Sequence, residues 1–350
     1  MNDTIMNFRQ EQVLRLLKEK GNLSRSDLAR LIVSKKGNSR ITLIRDLNEL
    51  VREGYVIVQG KGRATSYGLM TKNPLLEYVD LNNYFKVNQE KRETKINFNN
   101  EVYRNLSNIF SKREIELWEE GAVKFKEGKE RLDPSIYKRE LERFIIELSW
   151  KSSQIEGNTY SLIETETLIK QDIRAQGHSE EEAIMILNHK DAFNSILENK
   201  GDFKKLDFSH VIQLHNILTK GLVASGIRSQ KVRITGTTYE PLSDKYGLES
   251  ALKELIKHVN SIKYPPEKAL ILAIMVAYVQ PFADGNKRTA RMLSNAVLIA
   301  YGYPPLSYRN VDVNEYRSVM IVFYEINNLF NFKRIFMDQL EFAVNNYFQQ

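Results

Sequence analysis

The chain has 350 residues, 42% hydrophobic and 27% charged, an ordinary balance for a soluble globular protein with two or three cores. The absence of cysteine excludes disulfides, a thiolate metal site and a cysteine nucleophile, and the longest apolar run, residues 269–279, is too short to span a bilayer. The net charge of +7 is unevenly spread: residues 1–72 hold 14 Lys and Arg against 7 Asp and Glu, which leaves the rest of the chain balanced. That local excess points to a polyanion as partner of the N-terminal segment. The first residues lack a basic stretch followed by an apolar core and a cleavage site, so a cytoplasmic protein is the expectation.

Residues 8–20 place Phe8, Val13, Leu16 and Leu17 at helical spacing, with Gly21 as the stop. Ser24 and Asp27 form an N-cap pattern ahead of Leu28, Leu31 and Ile32. A third helix is expected from about Ser39, with Ile41, Ile44, Leu47 and Leu50 or Val51 turned inward and Gly54 closing it. Residues 55–69 then change to β-type residues around Gly60-Lys61-Gly62, a hairpin with a basic tip. Three helices followed by a two-stranded wing resemble a winged helix-turn-helix domain, assigned to residues 1–72. The resemblance implies DNA binding, with Arg40, Thr42, Arg45, Lys61 and Arg63 as candidate contacts.

Residues 73–107 open with Pro74, are polar with scattered aromatics, and read as a connecting segment. From 108 to 350 the helical period dominates, with strand-like residues chiefly in 230–242, so a mainly α domain carrying one hairpin is expected. An apolar helix ends near Val279, and a new one begins near Asn286–Arg288, with Met292, Leu293, Ala296 and Val297 at core spacing. The intervening stretch, QPFADGNKRTAR (280–291), therefore sets a basic cluster on a helix N-terminus. Free backbone amides and the helix dipole favour an anion there, Arg288 and Arg291 share the adjoining helix face, and phosphates are the obvious ligand. Asp284 is a hard oxygen ligand suited to Mg2+ beside those phosphates.

The spacing resembles the motif HxFx[D/E]GNGRxxR of the filamentation-induced-by-cAMP (Fic) family, matched by Phe282, Asp284, Gly285, Asn286, Arg288 and Arg291. The resemblance implies a mainly helical Fic-type domain whose members mostly transfer AMP from ATP to a protein hydroxyl. Phe282 would anchor the loop, Asp284 would bind the metal, and Gly285, Asn286, Lys287, Arg288 and Arg291 would hold the nucleotide. Upstream, SSQIEGN (152–158) resembles the family's inhibitory motif in Ser152, Glu156 and Gly157, on a helix of about 138–158. In the family that glutamate pairs with the second motif arginine, here Arg291, and bars the γ-phosphate; a carboxylate competing with phosphate for one guanidinium is a simple electrostatic switch. Residues 230–242 resemble the flap hairpin that docks a target by strand addition, with Arg233, Thr235 and Gly236 at its centre.

Two positions depart from the motif. Where active members carry a histidine base this chain has Gln280, and a carboxamide cannot take a proton near neutral pH, a loss of about 10²–10⁴-fold in rate. None of His178, His189, His210, His215 and His258 lies in the motif. Lys287 replaces glycine and resembles the death-on-curing branch, whose members act as kinases. Candidate catalytic residues are Gln280, Asp284, Asn286 and Arg288. Three functions follow: an adenylyltransferase restrained by Glu156 and slowed by Gln280, a death-on-curing-like protein kinase, or a non-catalytic ATP-binding transcriptional regulator. Expected partners are ATP with Mg2+, a target protein that the sequence does not identify, DNA through residues 1–72, and a second copy of the chain, with no membrane.

Overall fold

Three helices, α1 (Phe8–Lys20), α2 (Arg25–Ile32) and α3 (Arg40–Arg52), open the computed structural model, which describes residues 6–32, 40–70 and 73–348. The expected third-helix start at Ser39 lies outside the described residues, as does the Arg63 side chain. Strands β1 (Leu23–Ser24), β2 (Val56–Gln59) and β3 (Ser66–Leu69) form one antiparallel sheet in the order β1-β3-β2, with Val58 opposite Tyr67 and Tyr67 opposite Leu23. The α2 start is set by Ser24, whose Oγ accepts from the Asp27 amide at 3.1 Å and donates to its carboxylate at 2.6 Å.

The buried stripe of α3 differs from the expected one. Ile41 is 80% exposed and Ile44 36%, while Leu43, Asp46, Leu47 and Leu50 turn inward on Val13, Leu14, Leu17, Leu28 and Ile32. The reason is Asp46: it is fully buried and accepts hydrogen bonds from Arg9 and Asn7 of the α1 start, so a polar residue holds a core position. A reading that scores only apolar spacing rotates the helix away from it. Phe8 is likewise 71% exposed.

The connecting segment carries α4 (Leu81–Lys86) and several 3-10 turns and lies against the large domain. Asn99 N donates to Tyr278 Oη (2.9 Å), Phe98 packs on the Tyr278 ring, and Arg92 pairs with the buried Glu325 (2.9 Å). The large domain comprises α5 (Lys112–Arg131), α6 (Pro134–Ile155), α7 (Leu162–Gln171), α8 (Glu180–Glu198), α9 (Phe208–Leu218), α10 (Lys245–Ser261), α11 (Pro265–Val279), α12 (Asn286–Ala300), α13 (Val313–Ile326) and α14 (Phe330–Asn346). The α11 run buries every residue from Pro266 to Val279 at the centre of the main core, and α12 packs along it. The fold is mainly α, and no described helix is long and apolar enough to cross a membrane.

The two units share an interface. Phe330 at the start of α14 enters the N-terminal core between Tyr55 and Tyr78, and Lys333, paired within the large domain with the buried Glu114 of α5 (2.8 Å), stands over the Tyr55 ring at 5.5 Å. Arg334 bridges Glu11 of α1 and Glu315 of α13.

The flap expectation is corrected. Residues 230–242 run extended around a turn at Thr235-Gly236 with no strand ladder among them. Their pairing partner is the connecting segment: Glu240 N donates to Ile96 O (2.6 Å), Asn97 and Glu240 form a parallel bridge, and the Thr94 and Thr238 hydroxyls lie 2.9 Å apart. Backbone groups satisfied by a third segment do not close a hairpin on themselves. The helix expected over 138–158 is α6, which begins at Pro134 and ends at Ile155, leaving Glu156 as its C-cap.

Candidate functional site

α11 stops where Gln280 takes a left-handed conformation (φ 52), and α12 starts at Asn286. Asn286 organises the loop between them. Its carboxamide accepts from Phe282 N (2.9 Å) and donates to Phe282 O (2.8 Å) and to Gln280 Oε1 (2.9 Å). Gln280 Nε2 donates to Ala277 O (2.7 Å), so both ends of the Gln280 carboxamide are engaged. Phe282 is fully buried and lies flat on His215, with 3.6 Å between ring centroids and 5° between planes. Burial of such a ring contributes about 1.5–3 kcal/mol to holding the loop.

Gly285 caps α12 at φ 77 without a side-chain cap, and a Cβ there would stand 2.7 Å from Thr219 Cγ2. The amides of the first α12 turn therefore have neither a capping side chain nor an intrahelical acceptor. Arg288 Nη2 pairs with Asp284 Oδ2 (2.7 Å), and its Nη1 donates to Leu218 O (3.3 Å). Arg288 Nε and Arg291 Nη1 are buried without a hydrogen-bond partner, an unusual condition for guanidinium nitrogens and one that an anion would relieve.

Glu156 closes the site. Its Oε1 accepts from Arg291 Nη2 and its Oε2 pairs with Lys287 Nζ, each at 2.8 Å. Arg291 is held further by Ser152, donating from Nε to Oγ (3.0 Å) and from Nη2 to the carbonyl (2.9 Å), and its guanidinium lies over the Tyr316 ring at 5.5 Å. Burial acts to raise the Glu156 carboxyl, but Arg291 and then Lys287 outweigh it and bring it down to about 2. Gly157 follows at φ 103, a conformation that disfavours any side chain and lets the chain turn off α6 immediately after the carboxylate.

The sequence-derived residues divide as follows. Gln280, Asp284, Gly285, Asn286, Lys287, Arg288 and Arg291 gather with Ser152 and Glu156 in one cluster, with Lys287 turned onto Glu156 and Asp284 onto Arg288. Arg233 and Thr235 are exposed on the extended segment, and Gly236 lies above Ile321. On the N-terminal unit, Arg40, Arg45 and Lys61 are exposed and Thr42 is half-buried.

Four residues escaped the sequence reading. Arg228 donates to Gln280 O (2.8 Å), to Gln230 O and to Leu242 O (2.5 Å each), tying both ends of the extended segment to the motif loop. Arg317 of α13 donates to Ile155 O (2.8 Å), fixing the α6 end next to Glu156. His189 lies 2.8 Å from the Ser152 hydroxyl, and burial, followed by the Arg288 charge, pushes its ring down to about 3. The same two causes push His215 down to about 4. His215 is fully buried, with its nitrogens near Thr289 (3.2 Å) and Thr219 (3.5 Å), so it supports the loop and offers no exposed base. Nothing in sequence spacing marks Arg228 or Arg317, because each acts on backbone carbonyls of distant segments.

Comparison with known proteins agrees with this geometry. Residues 205–298 match the Fic/DOC family, a span that contains the motif loop but not Ser152 or Glu156. The chain is 29% identical over 186 residues to the protein adenylyltransferase Fic of Nematostella vectensis, covering 51% of this chain and 43% of that protein. Against the protein adenylyltransferase fic-1 of Caenorhabditis elegans it is 28% identical over 163 residues, 43% of this chain and 31% of the relative. The chain thus spans less than half the length of these curated relatives. Among solved structures, Fic-1 (residues 134–508) of C. elegans superposes with a TM-score of 0.56 at 21% identity, over 67% of this chain and 71% of the other. A Fic domain containing signaling protein from Bacteroides thetaiotaomicron gives 0.56 at 22% identity, over 65% and 94%. The motif loop and the helices around it thus lie in the part of this chain, residues 205–298, that matches the Fic/DOC family domain, and the fold is that of solved Fic structures.

Proposed function

We propose that the protein is a Fic-type adenylyltransferase that moves AMP from ATP to a protein hydroxyl, held off by Glu156 and slowed by Gln280. The observation that carries this reading is the Glu156 carboxylate seated on Arg291 at an uncapped helix N-terminus, in the place a phosphate would take. With Glu156 withdrawn, the α12 amides, Arg288 and Arg291 bind and orient the triphosphate, and the target oxygen attacks the α-phosphorus as pyrophosphate leaves. Asp284, exposed at the lip and with one oxygen on Arg288, is the residue that would hold Mg2+. A single carboxylate beside phosphates suits that ion, which supplies charge neutralisation when bound. Gln280 can orient the hydroxyl but cannot take its proton, which passes to water as the bond to phosphorus forms, and the step is slow for that reason. Titration calorimetry with Mg-ATP tests the site: Glu156→Gly is expected to bind about 5–150-fold more tightly than wild type, the usual size of a coupling between competing occupants. Undetectable binding by both proteins would remove the nucleotide site, and equal, measurable binding would remove the competition by Glu156.

A second reading, a nucleotide sensor acting on DNA, is favoured by a contiguous set of contacts. Arg317 holds Ile155 O beside Glu156, while Glu315 on the same helix pairs with Arg334, which also pairs with Glu11 of α1. Displacement of Glu156 therefore has a packed route to the N-terminal unit. That unit, taken as a winged helix-turn-helix over residues 1–72, has a groove of about 1020 Å³ between α2, α3 and the β2–β3 turn, lined by Arg25, Arg30, Arg40 and Gly62. Arg45 lines a different groove with Phe8 and Arg113. Duplex affinity is thus expected to fall steeply with salt, with Arg40→Ala lowering the salt slope by about 1 and Arg45→Ala having the smaller effect. A gel shift with the gene's own promoter DNA that is absent or insensitive to salt would assign the unit to protein contacts instead.

A further inference from the structure

We infer that Lys287 is a second clamp on Glu156, so that the carboxylate is held closed by two cations rather than one; this rests on the nucleotide-site reading above. Lys287 and Arg291 stand four residues apart on α12 and so share a face. Each takes a different oxygen of the same carboxylate, Lys287 Oε2 and Arg291 Oε1, both at 2.8 Å. The three side chains grade from the surface inward: Lys287 is 30% exposed, Glu156 14% and Arg291 1%. Lys287 is therefore the outer contact and Arg291 the inner one. The motif this loop resembles has glycine at 287, where no side chain could reach the carboxylate. The lysine thus acts through Glu156 as a positioning residue: it orients the outer carboxylate oxygen and raises the cost of swinging the side chain out. Once Glu156 has left, the same ammonium faces the vacated anion site, so its charge works for the carboxylate in the closed state and for phosphate in the open one.

That dual behaviour gives a sign reversal to measure. Calorimetry with Mg-ATP is run on wild type, Lys287→Met, Glu156→Gly and the double variant. Lys287→Met keeps an unbranched chain and removes the charge. With Glu156 present it is expected to tighten Mg-ATP binding roughly three- to tenfold, because one of the two closing contacts is gone. In the Glu156→Gly background the same change is expected to weaken affinity. Lys287→Arg, which keeps the charge, is expected to restore weak, wild-type binding. Should Lys287→Met weaken binding while Glu156 is present, Lys287 is a nucleotide ligand only, and should binding stay unchanged, Lys287 acts on neither occupant; either result overturns the clamp. If Glu156→Gly fails to bind Mg-ATP, the nucleotide-site reading falls, and urea unfolding of the same four proteins without nucleotide decides the clamp separately. Non-additive losses support the Lys287–Glu156 contact, and additive losses overturn it.

Discussion

Gln280→His combined with Glu156→Gly is expected to transfer label from ATP about 10²–10⁴ times faster than Glu156→Gly alone, the usual worth of a positioned general base. The loop is built to accept the change. Histidine tolerates the left-handed backbone seen at Gln280 (φ 52) better than most residues. Asn286 loses its bond to Gln280 Oε1 but keeps both bonds to the Phe282 backbone, and Arg228 still holds the residue-280 carbonyl. The residues proposed to hold phosphate are untouched, so Mg-ATP affinity should match that of Glu156→Gly while the rate rises. ATP labelled separately at the α and γ positions reports the chemistry: α-label on protein means AMP transfer, and γ-label means the kinase chemistry of the death-on-curing branch. Undiminished ATP binding with neither label transferred to the protein itself or to lysate proteins would replace the transferase reading with the sensor.

The second large effect is on stability. Glu156→Gly is expected to cost about 3 kcal/mol without nucleotide, the lower end for breaking a buried ion pair, because Arg291 keeps its two bonds to Ser152. Saturating Mg-ATP, at about 100 times its dissociation constant, should return about 2.7 kcal/mol to the variant and much less to wild type, where Glu156 competes. Urea midpoints with and without Mg-ATP measure both quantities. The pH dependence carries the same signature. The Glu156 carboxyl sits at about 2 when folded against an ordinary value of 4.5, so its contribution is complete above about pH 4.5 and is lost as pH falls toward 2. The gap between wild type and variant should therefore narrow through that window. A variant as stable as wild type at neutral pH without nucleotide would mean that the Glu156–Arg291 contact contributes nothing to the fold.

Much of the site could be read from the sequence because it lies on one short stretch. Residues 280–291 hold the loop, the helix start and both arginines within a few turns of each other, and local rules fix their geometry: an apolar helix stops, glycine takes a positive φ, and residues spaced by three or four share a face. Glu156 was reachable only through its resemblance to a family pattern, since 135 residues separate it from Arg291. Tertiary structure alone decided how the remaining groups are spent. Gln280 has its carboxamide engaged at both ends, Lys287 joins Arg291 on Glu156, and Arg228 fastens the 230–242 segment through backbone carbonyls. That segment pairs with residues 96 and 97 instead of with itself, because a hydrogen-bonding edge takes whichever partner the packing brings to it. Likewise Asp46 occupies the α3 core position that apolar spacing had given to Ile44, because Arg9 and Asn7 arrive from another helix start to satisfy it. Local periodicity determines where helices begin and which faces are apolar; the partners of buried polar groups come from far along the chain, and only the folded packing supplies them.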